Sequence, residues 1–537
     1  MEGLETVVLL GVAILVGAIL APRLRVATPL LLLLIGLGLG FIPELQSIEL
    51  PPETVLLVFL PVMLFWESLT TSLRSIRRDF RGIVLMSTLM VVATAFGVAG
   101  IAHLLGLPWN AALILGAALA PPDATAVAAL GRTLPHRNFM LLKAESLTND
   151  GTALVLYGIA VGISIGGSYT PLSITGLVLQ SYLGGAAAGG LIAGIAYLVM
   201  RRLTDALLTN IALLITPFAA FLAAELIHAS GVLAVVVAGL IVSFTSARIS
   251  TAASRRQTES TWPLGSYLLN GALFVLIGLQ VQAIAHEIEA RDIGRLLLTT
   301  VAVWLTLILV RFTFQTLLVF VIRVLDRRPS QRERRMNYRA RVVSAVAGFR
   351  GAVSLAIALS VPLIMDNGQS LPGRNDILFI TAGVIVLTLL VQGPLLPRIA
   401  KWADLPADAA EDEIRLVERA LNEAALTVLY NTDPADTPSG PGPATDTETR
   451  ELLIREHEAR RKVLQCLDTT AEQRDSSAPY ATHHIEENQL RLDILKHKRQ
   501  ALLTLRRDGH IDDVVARQFQ TRLDVEEQRL TGVESVD

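Results

Sequence analysis

Long apolar runs recur along this chain, and no other feature restricts its fold so severely. Thirteen stretches read as membrane spans, at roughly 4–20, 28–42, 53–68, 82–105, 109–131, 140–165, 173–200, 207–228, 231–247, 262–283, 294–322, 340–365 and 376–397. Lipid offers the backbone no hydrogen-bond partner, so such runs cross as helices whose amides are satisfied internally. With 52% hydrophobic and 18% charged residues among 537, the expected fold class is an all-α polytopic membrane protein.

The arginines check the span count. Alternate connections hold Arg23 and Arg25; Arg74, Arg77, Arg78 and Arg81; Arg132 and Arg137; Arg201 and Arg202; Arg248, Arg255 and Arg256; the Arg327 to Arg341 cluster; and Arg398 with Lys401. The intervening connections carry little beyond Arg291 and Arg374. By the positive-inside rule this alternation puts the N-terminus outside and the C-terminus in the cytoplasm of a multi-pass plasma-membrane protein. The opening MEGLE lacks the basic region of a cleavable signal, so the first run is expected to stay as a helix.

Charge also divides the chain. Residues 1–400 carry 20 acidic and 28 basic side chains, the remainder 28 acidic and 18 basic. A transmembrane domain over 1–400 and a water-soluble cytoplasmic domain over 401–537 are therefore expected. The single cysteine, Cys466, excludes an intrachain disulfide and suits a reducing compartment.

Two spans are interrupted at their middles. The fifth reads LILGAALAPPDATAVAAL, where Pro121 and Pro122 remove amide donors and Asp123 follows at once. The twelfth reads SAVAGFRGAVSLAIAL, with Gly348, Arg350 and Gly351 at its centre. If the seventh span is a linker, spans 1–6 and 8–13 form two antiparallel units of six, broken at the fifth helix of each. This is the inverted-repeat pattern of secondary transporters, whose broken helices build an ion site near the midplane.

Ionisable groups inside membrane spans are costly and mark function. The sixth span contains AESLTNDGTALVLY, in which Ser146 and Asp150 share one helix face and Glu145 and Asn149 another. A hydroxyl and a carboxylate on one face supply the hard oxygen ligands a small cation prefers. Burial penalises the charged form of any carboxylate, so one group can hold a proton or a cation but not both well. For Glu145, nearer the cytoplasmic loop, a structural ion pair competes with a ligand role. Glu67 closes the third span, either guarding an entrance or offsetting the arginines at 74–81. Arg350 needs an anionic partner at depth, for which Glu145 and the C-terminal dipole of a half-helix are candidates. Asp123 suits the N-terminus of a half-helix. Arg311, with Glu225 and His228 as conceivable partners, reads as structural. The GLGLG at 36–40 lies within a span and reads as close helix packing, not as a nucleotide loop.

The segments FLPVMLFWESLTTSLRSIRRDFRGIVLM, PPDATAVAAL, AESLTNDGTALVLY and GFRGAVSLAIAL, in that order and spacing, resemble the monovalent cation:proton antiporter family 1 over residues 5–400. These are the sodium/proton exchangers of bacteria, archaea and animals. The resemblance implies a 13-span fold with a dimerisation domain and a core domain, working as a homodimer by an elevator-like movement. It implies that Asp150 binds cation and proton in turn, with Asn149 bracing the site, Ser146 a direct ligand and Glu67 a contributor. It also implies that Glu145 and Arg350 form an ion pair tying the sixth span to the twelfth, and that Asp123 is the aspartate of a Thr-Asp-Pro break. The sequence departs there: Pro122 stands for the threonine and Ala124 for the proline. A carbonyl freed near Pro122, or the Thr125 hydroxyl one turn on, would replace the lost ligand. Electrogenic relatives of the same fold carry a second aspartate where this chain has Asn149, so the resemblance implies electroneutral one-for-one exchange.

After Lys401, helical periodicity at AEDEIRLVERALNEAALTVLY gives way to a flexible Pro/Gly-rich linker near 431–446, then to helical stretches near 447–468, 483–507 and 511–531. RRDGH reads as the turn of a hairpin between the last two. Such a tail reads first as a helical bundle aiding assembly or stability, with regulation of pH response the alternative. The expected partners are monovalent cations, protons and lipid, with no nucleic acid and no cofactor. Sodium or lithium leads, potassium is an alternative cation, and a sodium-coupled symporter of an organic anion is a second class. No metal-ligand cluster, nucleophile–base pair or phosphate loop marks an enzyme.

Overall fold

The computed structural model describes residues 2–24, 26–42, 55–71, 73–123, 136–166, 170–249, 251–287, 290–325, 337–362, 364–365, 369, 371–404, 419–427, 429–430, 447–466, 494–502, 504, 523 and 525–527. The chain separates into two compact units, Met1–Ala407 and Asp408–Asp537. Among the described residues it is helical throughout, apart from an isolated bridge at Ile364.

In the first unit the helices are α1 (Glu2–Leu24), α2 (Thr28–Leu39), α3 (Leu60–Leu69), α4 (Leu73–Leu104), α5 (Trp109–Leu119) and α6 (His136–Ser164). They continue as α7 (Pro171–Leu179 and Gly185–Met200), α8 (Ala206–Glu225), α9 (Gly231–Ile249), α10 (Ala252–Glu287) and α11 (Ala290–Leu325). The last are α12, in two halves (Tyr338–Val346 and Ala352–Leu359), and α13 (Arg374–Leu387 and Gly393–Ala403). Wider π-helical turns precede α3 and join the two parts of α7 and of α13.

Local chemistry sets several of these ends. Asp205 accepts from the Leu207 and Leu208 amides at the start of α8, and Thr170 with Ser173 forms a reciprocal capping box on α7. Among the described residues, seven helices are long and apolar enough to cross a membrane: Leu4–Leu24, Ser87–Leu104, Leu172–Met200, Ala206–Glu225, Ala253–Gln282, Asp292–Val321 and Arg374–Ala403. Thr28–Leu39, Leu57–Leu69, Trp109–Leu119 and Gly231–Ser246 are apolar but shorter. The α6 and α12 stretches fall outside both groups, since one carries the polar cluster and the other is broken.

The outward faces are apolar. Val7 and Leu15 on α1, Leu191 on α7, Leu208 on α8 and Leu309 on α11 are all exposed, a surface that requires lipid around it. Inside, one buried cluster draws on α1, α2, α4, α5, α10 to α13 and, through Ala160, α6. A second draws mainly on α3, α7, α8 and α9. Leu154 of α6 and Val353 of α12 pack against both, so the polar stretch of α6 lies along the seam. Helix contacts along this scaffold are close. A Cβ on Gly36 would overlap the Val275 backbone, and one on Gly278 the Leu33 carbonyl, so Gly36 of the GLGLG run and Gly278 opposite it let α2 and α10 touch backbone to backbone.

In the second unit, α14 (Thr447–Cys466) follows a helical stretch over 419–427. Asn422, almost fully buried, donates through Nδ2 to the His457 carbonyl at 3.0 Å and pairs through Oδ1 with His457 Nδ1 at 2.8 Å. Tyr430 donates to Glu458 at 2.6 Å. Lys498–Glu526 and Arg499–Glu527 ion pairs join the two later helical stretches. The linker near 431–446 and the RRDGH turn lie outside the described residues.

Candidate functional site

Both interruptions foreseen in the sequence are present, and they meet. The α5 helix ends at Leu119, and residues 120–123 continue as non-helical backbone; α12 unwinds from Ala347 to Gly351 before resuming at Ala352. The Asp123 amide donates to the Phe349 carbonyl at 2.8 Å, so main chain holds main chain at the crossing. Close approach is possible because residue 351 is glycine: a Cβ there would overlap the Asp123 carboxylate. That carboxylate thus stands at the N-terminal end of the second half of α12, where the helix dipole favours negative charge.

Arg350 occupies the complementary position. It is 2% exposed. Its Nε donates to the Leu119 carbonyl at 2.6 Å and Nη2 to that of Ala120 at 3.3 Å, while Nη1 donates to Gly348 at 2.6 Å and Phe349 at 3.4 Å. One guanidinium therefore serves the C-terminal end of α5 and the unwound segment after the first half of α12. A buried cation is matched by orphan carbonyls at helix ends.

The expected Glu145–Arg350 ion pair is not formed. Glu145 is held instead by Arg311 of α11, Oε1 to Nη1 at 2.8 Å and Oε2 to Nη2 at 2.8 Å. The physical reason is reach and occupancy: the Arg350 donors are committed to the carbonyls of the crossing, whereas α11 brings a bidentate fork alongside α6. Arg311 also donates through Nε to the Ser344 carbonyl at 2.9 Å. It therefore joins α6 to the first half of α12, not to Glu225 or His228, which lie in electrostatic range of each other.

On α6, Ser146 Oγ donates to the Pro122 carbonyl at 3.1 Å, so the carbonyl released by the proline break faces the hydroxyl one turn before Asp150. Asp150 is 3% exposed, its carboxylate enclosed within the bundle. Asn149 is fully buried; its Nδ2 reaches toward Glu145 Oε1 at 3.5 Å, and its Oδ1 has no hydrogen-bond partner. Glu67, buried near the end of α3, and Asp123 both lie within electrostatic range of Asp150. Thr125 falls outside the described residues.

Sequence reasoning missed two contributors. Lys143, half-buried on α6, donates to Thr70 Oγ1 at 2.5 Å and lies within electrostatic range of Glu67. Its position two turns before Asp150 on the same face was the available signal. Thr388, in the π-helical turn of α13, donates to the Ile385 carbonyl at 2.8 Å with the Arg350 carbonyl 3.4 Å away, a proximity that nothing in the local sequence announces.

Broken helices crossing beside buried carboxylates, inside a bundle with an apolar exterior, define a multi-pass membrane protein of the secondary-transporter class. The family follows from comparison. The chain belongs to the sodium/hydrogen exchanger family, whose transmembrane model matches residues 10–402. It is 39% identical to an uncharacterized sodium/proton exchanger of Mycobacterium bovis over 98% of this chain and 96% of that one. It is 30% identical to a sodium, potassium, lithium and rubidium/proton antiporter of Bacillus pumilus over 75% of this chain and 62% of the relative. In fold it is similar to the sodium proton antiporter of Methanocaldococcus jannaschii solved at pH 8, with a TM-score of 0.58 at 20% identity, covering 75% of this chain and 99% of that structure.

Proposed function

We propose that the chain exchanges sodium or lithium for protons across the plasma membrane, one for one and without net charge movement, with cation and proton competing for Asp150. The observation that carries this reading is the oxygen-lined spot on α6. The Asp150 carboxylate is buried, and one turn away the Ser146 hydroxyl meets the carbonyl freed at Pro122. A monovalent cation needs a few hard oxygens and one negative charge, which these groups supply together with Glu67. Among the described residues no three acidic, histidine or cysteine side chains converge as a metal centre, and a transient monovalent passenger requires none. Asn149 contributes orientation without a second titrating group, which supports the electroneutral stoichiometry.

The remaining architecture belongs to the same reading: thirteen spans in two inverted six-helix units, an outside N-terminus, a cytoplasmic tail domain after residue 400 and a homodimer. The recurrence of a close contact between α3 and α9, where a Cβ on Gly239 would press on Ser68 at 2.6 Å, supports the repeat, since it matches the α2–α10 contact one repeat away. Potassium is the second cation reading, favoured by the named substrates of the Bacillus pumilus relative.

Competition fixes the pH response. Low pH keeps the site protonated and high pH leaves few protons to exchange, so activity is bell-shaped, and raising sodium moves the acidic limb to lower pH. The test is purified protein in liposomes carrying a pH gradient, pulsed with sodium, lithium, potassium or choline, for wild type and Asp150→Asn. Cation-driven proton release that survives in Asp150→Asn sinks the mechanism. A rate that changes when valinomycin clamps the potential sinks electroneutrality.

A further inference from the structure

We propose that Tyr182 is a positioning residue for the exchange site, holding α6 from behind through Thr152 so that Asp150 and Ser146 stay in register with the Pro122 carbonyl. The inference rests on the exchange reading above and deepens it. Thr152 follows Asp150 by two residues, about 200° around a helix, so the two side chains leave α6 on opposite faces. In front, Ser146 Oγ meets the Pro122 carbonyl at 3.1 Å. Behind, Thr152 Oγ1 and the Tyr182 hydroxyl of α7 lie 2.5 Å apart.

Proton counting gives that bond its direction. Thr152 is 4% exposed, and its own proton is directed at the Thr148 carbonyl at 3.3 Å. The proton between the two hydroxyls is then that of Tyr182, whose half-buried phenol finds its partner there. Thr148, one turn earlier on the same face, turns its hydroxyl to its own helix at the Ala144 and Glu145 carbonyls. The tie to α7 is therefore made at Thr152.

The phenol is presented from a braced turn. Tyr182 sits in the π-helical turn Gln180–Gly184 of α7, a widened geometry that recurs at functional sites. Gln180 Nε2 donates to the Ile227 carbonyl at 3.0 Å, and the Ser230 amide donates to the Ser181 carbonyl at 3.3 Å. Both residues before Tyr182 are thus fastened to the turn between α8 and α9. Just after it, a Cβ on Gly185 would press on the Ser230 carbonyl and one on Gly189 would overlap that of Ala234, so α7 and α9 touch backbone to backbone. Loosening the bond at Thr152 lets α6 draw away from the broken end of α5, which separates the oxygens of the site and weakens cation binding. A tyrosine needed only for packing changes how much protein folds and leaves the affinity of the folded fraction unaltered.

The experiment uses the full chain in liposomes, normalised to protein that elutes as a single species on size exclusion, and measures the apparent KM for sodium and the turnover at saturating sodium. In Tyr182→Phe the KM rises about fivefold, the effect of one net hydrogen bond, with turnover unchanged. Thr152→Val gives the same rise, the double variant gives no more than either alone, and Thr152→Ser, which keeps the hydroxyl, retains the wild-type KM. Thr148→Val leaves KM unaltered. If Tyr182→Phe does not reach the membrane, Thr152→Val against Thr152→Ser carries the comparison. A wild-type KM in Tyr182→Phe and Thr152→Val, a change confined to turnover, rises that add in the double variant, or the same rise in Thr152→Ser overturns the proposal while leaving exchange intact. Absence of cation-driven proton flux in wild type overturns both.

Discussion

Removing the charge of Glu145 asks whether α11 or the break in α12 supplies its partner. The pair with Arg311 is bidentate at 2.8 Å on both arms, the arginine side chain 3% and the glutamate 14% exposed. In Glu145→Gln a buried guanidinium faces a neutral amide, and stripping one member from a buried pair costs about 3–5 kcal/mol. Arg311→Met leaves the converse orphan at similar cost, with the added loss of the bond to the Ser344 carbonyl. The double variant costs well below the sum, since the second charge is already unmatched, so the coupling is about 2–3 kcal/mol. The same cycle between Glu145→Gln and Arg350→Met yields less than about 1 kcal/mol, because the Arg350 donors end on backbone carbonyls. Unfolding by SDS in mixed micelles, followed by tryptophan fluorescence, reads these energies directly. Stronger coupling of Glu145 to Arg350 than to Arg311 refutes the pairing.

Other changes have equally definite outcomes. Gly351→Ala forces a methyl against the Asp123 carboxylate, costing about 1–3 kcal/mol of stability by the same unfolding assay and lowering sodium-driven flux in liposomes. Asn149→Asp adds a second titrating group beside Asp150, so exchange becomes sensitive to a valinomycin-set potential. In the tail, Asn422→Ala removes both bonds to His457 at a cost of about 1–3 kcal/mol, read as faster amide hydrogen exchange in α14 of the full-length protein.

The scaffold was legible because apolar runs and turn chemistry are local. The interruption at Ala347–Gly351 lies where GFRG places it, and α5 stops just before Pro121. Helix-face spacing put Ser146 and Asp150 together, and the structure adds the Pro122 carbonyl to them. What sequence could not supply was partner choice across the bundle. Arg311 and Glu145 are 166 residues apart, and nothing in the neighbourhood of either names the other. Resemblance pointed Glu145 at Arg350, yet the half-helix C-terminus was the alternative that physical reasoning had kept open. It prevails because carbonyls at two chain breaks saturate one guanidinium. Lys143 was passed over because a lone lysine near the start of a span names no partner until Thr70, at the end of another helix, is seen to hold it.

The bond from the Asp123 amide to the Phe349 carbonyl has a consequence for how such a chain can vary over time. A junction made by side chains is lost when either codon changes; one made by backbone survives every substitution at residue 349 and all but proline at residue 123. The side chains flanking the crossing are therefore not what clasps it, so Pro-Asp-Ala at residues 122–124 is compatible with two broken helices that remain joined through their backbones. Mutational tolerance at this point is a property of the peptide group, and selection has only to guard the glycine and the aspartate beside it.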